Sequence, residues 1–389
     1  MREGWEYKTF GEVGTFLRGK NILKADFVEK GLPCIHYGQI HTKFGISTEK
    51  HLTEISEEVY NKSIIASKND VIIAITSEDL EGSCKATAWL GDYDVAVSAH
   101  AAVYKHHIDP KFIVYYLKSQ SFRQEKSKYA RGFKVMEIKP TDIAKITIPL
   151  PPKSTQLAIV SELDKINELI RLKKEQLKDF DNLAQSIFYE MFGDPVENEM
   201  GWEVSTYSKC FNIGSGGTPS KSVPEYWDNG NIPWIGSNMC QNCIITETDG
   251  KFITQEGLNN SSTKYLEVGT VLVALVGATI GKVALLRTPT CTNQNVAFIK
   301  ANESKDFVPE YVFYNLMGQY EEFMKISKGD FKMANQAFIK ALPILSPPLP
   351  LQHLFAHRIE QIEHQKAEVQ KAITDLETLL ASRMQYWFE

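Results

Sequence analysis

Two periods alternate along this 389-residue chain. From Leu163 apolar positions step by threes and fours through Ile166, Ile170, Lys173, Leu177, Phe180, Ala184, Ile187 and Met191. From Ile359 they step through Ile362, Lys366, Val369, Ile373, Leu376, Leu380, Arg383 and Trp387. This is the a/d seam of a heptad, interrupted in each stripe by a lysine that reads as standing at the equivalent place, and it predicts two long amphipathic helices. Taken from Ser154 to Phe192, the first would be about 58 Å long. Residues 1–152 and 200–348 follow a different pattern: short β-branched runs ("VIIAI", "VLVAL", "VAFIK") bounded by Gly, Asn, Asp and Ser. These read as strands and turns, with helical stretches at Phe112–Tyr129 and Pro309–Ile326.

The alternation is a duplication. "ITIPLPPKSTQLAIVSELDKI" from Ile146 and "LPILSPPLPLQHLFAHRIEQI" from Leu342 share a strand end, a Pro-Pro break, a Gln (Gln156, Gln352) and a helix start. "GWE" opens both halves, at Gly4 and Gly201. "LPCIHYGQ" parallels "IPWIGSNM", "VIIAITSEDLEGSCKA" parallels "VLVALVGATIGKVA", and "AHAAVYK" parallels "QNVAFIK". Order is kept while offsets drift, as in two diverged copies of one unit. The segments are 1–152, 153–199, 200–348 and 349–389. A helix with one apolar stripe needs a partner, and its duplicate is the nearest match. Each helix leaves a globule at its N-terminal end, so a parallel pair would crowd the globules and an antiparallel pair would not. The expected fold is α/β (α+β): two similar mixed α/β domains separated by an intramolecular antiparallel coiled coil, with approximate two-fold symmetry.

Composition adds limits. With 43% apolar and 11% aromatic residues the chain is an ordinary globular protein. No run is long and apolar enough for a membrane span, and "MREGWEYKTF" lacks a secretory apolar core, so a cytoplasmic, membrane-free protein is expected. The net charge of −5 is unevenly spread. Residues 1–152 carry 21 Lys and Arg against 19 Asp and Glu, whereas 153–199 carry 6 against 10. A polyanion should therefore meet the globules, not the helices. Six scattered cysteines suggest reduced thiols, and Cys240 with Cys243 lacks the second pair a zinc site needs.

The paired junctions resemble those of the specificity subunit of Type I restriction-modification systems. The resemblance spans the whole chain and includes "SIFYEMFGD" echoed by "SRMQYWF", and "GSGGTPSKSVPEYWDNGNIPWIGSNM" from Gly214. The first globule departs from that glycine-rich stretch, with "FLRGKNILK" where the second has "GSGGTPSKS". The resemblance implies that each globule is a target recognition domain reading one half of a bipartite sequence in double-stranded DNA, while the helices set the spacing. It implies a non-catalytic subunit that docks two modification (methyltransferase) subunits and, in the complete complex, two restriction subunits. No cofactor is expected in this chain; S-adenosylmethionine would sit in the methyltransferase partner.

Candidate DNA contacts follow from residue chemistry. Arg123, Lys126, Lys128, Arg131 and Lys134 precede the first junction, and Lys325, Lys328 and Lys332 the second. They suit phosphates or guanine edges, though a solvated helix face would look the same. Arg18 and Lys20 in the first copy, and Thr218, Ser220 and Lys221 in the second, belong to loops able to face phosphates; the plain alternative is a flexible turn. Tyr37 and Gln39, with Asn238 in the other copy, follow a proline-bounded strand and can bond base edges, although such residues more often only finish a loop. Trp5 and Trp202 read as packing anchors. The P-loop spacing, methyltransferase motifs and nucleophile motifs are missing from the sequence. The competing class is a two-headed protein-binding scaffold, which predicts weak, salt-insensitive DNA binding. A stand-alone enzyme would need a polar cleft that the sequence does not reveal.

Overall fold

The computed structural model describes residues 2–132, 135–302, 307–326 and 333–389. Two compact units form, Met1–Lys174 with Lys371–Glu389, and Glu175–Gln370. Compactness thus cuts each long helix in half, because each helix end is packed into a globule core.

Each globule is closed by its own first and last strands. Gly4 and Gly201 sit at φ +76° and +68°, in the left-handed region that glycine enters without steric cost, which accounts for the repeated Gly-Trp. Beyond that turn Glu6–Thr9 pairs antiparallel with Thr147–Leu150, and Val204–Thr206 with Pro343–Leu345. Trp5 packs at the edge of the first core, and the Trp202 indole donates to the Phe192 carbonyl (2.9 Å). Trp5 is thus a packing anchor as expected, whereas Trp202 is fixed by hydrogen bonds, its amide and carbonyl also engaging the Asn198 side chain (2.9 Å each).

The sheets repeat in topology as well. In unit 1 a five-stranded sheet runs Gly14–Arg18, Ala101–His106, Val71–Ala74, Ala86–Trp89, Ser47–Thr48. Its counterpart in unit 2 runs Phe211–Ser215, Val296–Ala301, Val271–Ala274, Val283–Leu286, Cys243–Ile245. In both, the last strand alone is parallel to its neighbour. The central strand is apolar at every position because both faces are covered. Val71 and Ile73 meet a helical layer including Phe112 and Tyr115, while Ile72 and Ala74 meet Ile35, Trp89 and Val97. Val271 and Val273, against Leu272 and Ala274, divide the same way in unit 2.

The Pro-Pro-x3-Gln junction has a physical reading. Gln156 donates to the Pro151 carbonyl (2.9 Å) and accepts from the Asp109 amide (3.3 Å). Gln352 donates to the Pro347 carbonyl (2.9 Å) and accepts from the Val308 amide (3.0 Å). Asp109 and Val308 are the N-caps of the globule helices Pro110–Leu117 and Pro309–Gly318. One buried amide therefore ties strand exit, long helix and globule helix together, and needs both a donor and an acceptor to do so.

The long helices are Lys153–Phe192 and Leu349–Phe388, 40 residues each. Their halves pair antiparallel within each unit. In unit 1 Glu162 bonds Arg383 and the Trp387 indole, and Lys174 meets Glu377 (2.8 Å). In unit 2 Lys366 bonds Asp181 (2.7 Å) and Glu363 (3.2 Å), and Phe355 packs on Phe188 and Phe192. All the predicted seam positions are buried or half-buried. The two lysines stand one seam step apart, since Lys366 lies 196 residues after Ile170, not Lys173. Phe188 and Phe192 are buried more deeply than the seam residues Ile187 and Met191. There the helix faces Tyr311 and Tyr314 of the globule as well as its helical partner. Phe388 repeats this in unit 1 against Phe112 and Tyr116, and its carbonyl accepts from Ser121 (2.8 Å).

Candidate nucleic-acid interface

In unit 1 a three-residue loop, Ser98–His100, gathers side chains from far apart in sequence. The strand Gly14–Arg18 ends beside it, and Gly19 then passes so close that a Cβ would strike the Ser98 carbonyl. Lys20 is held to the loop by its amide on the Val97 carbonyl (3.2 Å), and the Arg18 Nε donates to the Ala99 carbonyl (3.4 Å). The Tyr37 amide donates to the Ser98 hydroxyl (2.9 Å), and its ring lies tilted between His36 (4.6 Å) and His100 (4.9 Å). The His100 carbonyl accepts from Ile75, leading into Thr76–Ser77, which pairs with Met136–Glu137. Arg131 exchanges two backbone bonds with Glu137 (3.1 and 2.8 Å). Arg18, Lys20, Tyr37 and Arg131 therefore lie on one connected surface.

Glu137 belongs to this surface and was not singled out from sequence. The Arg18 guanidinium lies 3.0 Å from it, but no N–H is aligned on its Oε1, which is shielded and has no hydrogen-bond partner among the described residues. The two side chains form an ion pair, and that oxygen is enclosed beside the guanidinium. Arg131 also lies 3.7 Å from Asp142, a buried carboxylate already bonded to Lys145 (2.7 Å) and held below its ordinary pKa by that bond.

Unit 2 builds the same hub from other residues. Strand Phe211–Ser215 ends at Gly216, where a Cβ would strike the Thr292 carbonyl, and the Gly217 amide donates to that carbonyl (2.8 Å). The loop Asn293–Asn295 takes the place of Ser98–His100, its last carbonyl accepting from Leu275 (2.8 Å). Thr218 donates to the Gln294 side chain (2.6 Å), and Gln336 to the Ser215 hydroxyl (2.9 Å). Asn238 is exposed beside Asn293 across Gly236. The "GSGGTPSKS" loop is far from a free turn: Trp234 donates to the Gly217 carbonyl (3.0 Å) and Trp227 to the Ser220 carbonyl (3.1 Å). Ser220 bonds Ser222 (2.7 Å), and Lys221 is exposed.

Other candidates fall elsewhere. Gln39 is engaged in capping its own helix, accepting from the His36 amide (3.1 Å) and donating to Thr53 (3.3 Å). Lys128 pairs with Glu125 (2.6 Å) and Lys325 with Glu322 (2.5 Å), each one turn away and exposed. Lys134, Lys328 and Lys332 lie outside the described residues. The basic cluster before the first junction is divided: Arg131 joins the hub, whereas Arg123 and Lys126 line a separate cleft.

Residues 2–179 and 199–378 match the family profile described as Type I restriction modification DNA specificity domain, once in each half. The chain belongs to this family. Among curated specificity-family relatives, the EcoKI specificity subunit of Escherichia coli K12 is 22% identical over 96% of this chain and 85% of its own length. The EcoR124I/EcoR124II specificity subunit of Escherichia coli is 26% identical, aligning 47% of this chain; this chain spans about half the length of that relative (46%). In fold, the chain resembles the specificity-family S subunit from M. genitalium (14% identity, TM-score 0.54, 99% and 96% of the two chains). It also resembles a chain from a structural study of type I restriction-modification complex assembly and conformational transition (19% identity, TM-score 0.63, 100% and 98%). No helix among the described residues is long and apolar enough to cross a membrane.

Proposed function

We propose that the chain is the DNA specificity subunit of a Type I restriction-modification complex, each globule reading one half of a bipartite target through the loop hub at its strand ends. The observation that carries this is one hub scaffold filled with different chemistry in the two units. Arg18, Lys20 and Arg131 suit phosphates and guanine edges, and the Glu137 carboxylate, once parted from Arg18, suits a cytosine N4 amine. The Asn and Gln side chains of unit 2 suit adenine. The long helices set the spacing between half-sites and dock two modification subunits, which bring S-adenosylmethionine. Two restriction subunits complete the assembly, in the cytoplasm.

Methylation mapping of the complex reassembled with its modification subunits tests this. Exchanging residues 1–150 for the matching domain of a relative should change one half-site and leave the other. Assembly without any sequence-dependent methylation, together with weak and salt-insensitive duplex binding, would favour the protein-binding scaffold instead.

A further inference from the structure

The two basic side chains that left the hub meet again in unit 1. Helix Gln120–Ser127 starts at Ser119, a buried N-cap whose hydroxyl accepts from the Phe122 amide (3.2 Å). Its side chains Arg123 and Lys126 and the preceding Lys118 face the start of strand Ala86–Trp89, where Lys85 stands. Between them lies a cleft of about 380 Å³, bordered on its far side by His41. That size falls at the lower end of small-ligand clefts, roughly 300–1,000 Å³.

The charge is lopsided. Lys126 is only 4% exposed, and its ammonium donates to the Ser83 carbonyl (2.5 Å) and more weakly to the Glu81 carbonyl (3.4 Å). The buried ammonium has no carboxylate within ion-pair distance among the described residues; burial lowers its pKa, and the more distant Glu81 and Asp79 only partly offset this. Lys118 reaches solvent, yet partial desolvation lowers its pKa too, followed by the neighbouring charge of Lys85. Glu81 is the carboxylate lining the cleft, and it pairs with Arg123 (2.8 Å). Neither Lys85 nor Lys118 has an ion pair among the described residues. The start of the helix adds its own partial positive charge.

Unit 2 does not repeat this. The counterpart of Lys118, at the C-cap of the equivalent helix, is Gln319, which is fully buried and donates to Asn315 (2.8 Å) and to the Pro343 carbonyl (2.9 Å). The counterpart of Lys85 is Lys282, bonded to Gln241 (2.6 Å). Among the described residues the cationic cleft is therefore a feature of one copy of a duplicated scaffold.

We propose that this cleft is a phosphate-binding site, held by Lys85, Lys118, Arg123 and Lys126. The favoured source is a DNA phosphodiester: His41, at the cleft edge, also bonds the Thr76 carbonyl (3.0 Å) and faces Tyr37 (6.2 Å), so the cleft adjoins the unit 1 hub. This choice of source rests on the DNA reading of that hub; the phosphate chemistry does not.

The test uses the full chain assembled with its modification subunits and compares wild type with Lys85→Gln/Lys118→Gln, whose side chains reach solvent. A DNA phosphate predicts that the double variant binds specific and nonspecific duplexes about equally more weakly, roughly ten-fold at 0.1 M salt. Its log K versus log[salt] slope should be about one unit shallower, with the methylated sequence unchanged. A second arm follows thermal unfolding with inorganic pyrophosphate. Stabilisation of wild type but not of the variant, with duplex binding unaltered, supports the site and assigns its phosphate to a free ligand. Unaltered duplex binding and no pyrophosphate stabilisation would overturn the proposal. Should the wild-type complex bind no DNA at all, the specificity reading fails while the pyrophosphate arm still decides the cleft.

Discussion

The two hubs share a backbone and differ in almost every side chain that reaches outward. In unit 1 Arg18, Lys20, Tyr37, His100 and Glu137 surround the central loop; in unit 2 the corresponding positions hold Ser215, Gly217, Ser237, Asn295 and Met333, with Thr218 and Asn238 each one residue further on. The glycine that permits close approach is kept in both, at Gly19 and Gly216. Where the scaffold demands a residue, the copies agree; where the surface faces a ligand, they diverge. Binding strength and base preference should therefore separate between the units, unit 1 leaning on charge and unit 2 on neutral hydrogen bonds.

The sharpest test replaces Arg18 and Lys20 together by Ala and, separately, Ser215 and Thr218. The first pair should weaken duplex binding by roughly 10- to 100-fold and flatten the salt slope by up to about two units. The second should cost less than about ten-fold and leave the slope alone. Equal slopes in fluorescence titrations of the two variants would erase the distinction.

Glu137→Ala comes next. Losing this carboxylate should relax the first half-site at one base pair, worth roughly 1–3 kcal/mol of discrimination, and leave the second half-site intact. Selection of methylated sites from a randomised duplex library measures this directly; a change in the second half-site, or none in the first, would rule out a reading role.

The junction glutamines probe the shared part of the comparison. Gln352→Ala and Gln156→Ala each strand a buried amide and a proline carbonyl, and should cost roughly 1–3 kcal/mol of stability. The larger effect is expected for Gln352, which is fully buried against 8% exposure for Gln156. Denaturant unfolding would show it, and a negligible loss at both would mean the junction is held by the prolines and strands alone.

A smaller difference is expected in acid. His106 packs on Tyr104 (5.0 Å), and burial lowers its pKa to about 4 from the ordinary 6.5, while His36 shifts the same way through burial and then Lys24. A histidine with a depressed folded pKa favours the folded state fully above its unfolded value. That contribution is lost as pH falls from 6.5 towards 4, because the unfolded chain takes up the proton first. Hydrogen exchange at pH 7.5 and 5 should show unit 1 loosening, and His106→Phe should reduce the change. An equal loosening of both units would place the effect on other groups.

Periodicity made the long helices legible because their seam is a repeated local pattern with a like partner. It passed over Phe188 and Phe192, whose burial is decided by Tyr311 and Tyr314, more than a hundred residues away in sequence. The hub was half legible. Arg18, Lys20, Tyr37, Thr218 and Asn238 stood in quoted stretches, but His100 and Glu137 in unit 1, and Gln294 beside Thr218 in unit 2, reach their hubs only through sheet pairing and loop contacts that no spacing encodes. "AHAAVYK" and "QNVAFIK" did hold a signal, since the residues just before an aligned strand mark the same sheet edge in both copies. Charge misled at Lys126, which reads as one of a solvated cluster and is buried.

The discontinuity of unit 1 bears on how the protein is made. Its last segment, Lys371–Glu389, is separated from Met1–Lys174 by the whole of Glu175–Gln370. Translation at ~5–20 residues per second leaves the first part waiting roughly 10–40 s for the strand of chain that carries Ile373, Leu380 and Phe388. Over that interval Leu163 and Ile166 have no helix to cover them, while unit 2 can close as soon as it emerges. The earlier-made half of this duplicated protein is thus the later to finish folding, and its nascent form is the one that a chaperone, or aggregation, would meet.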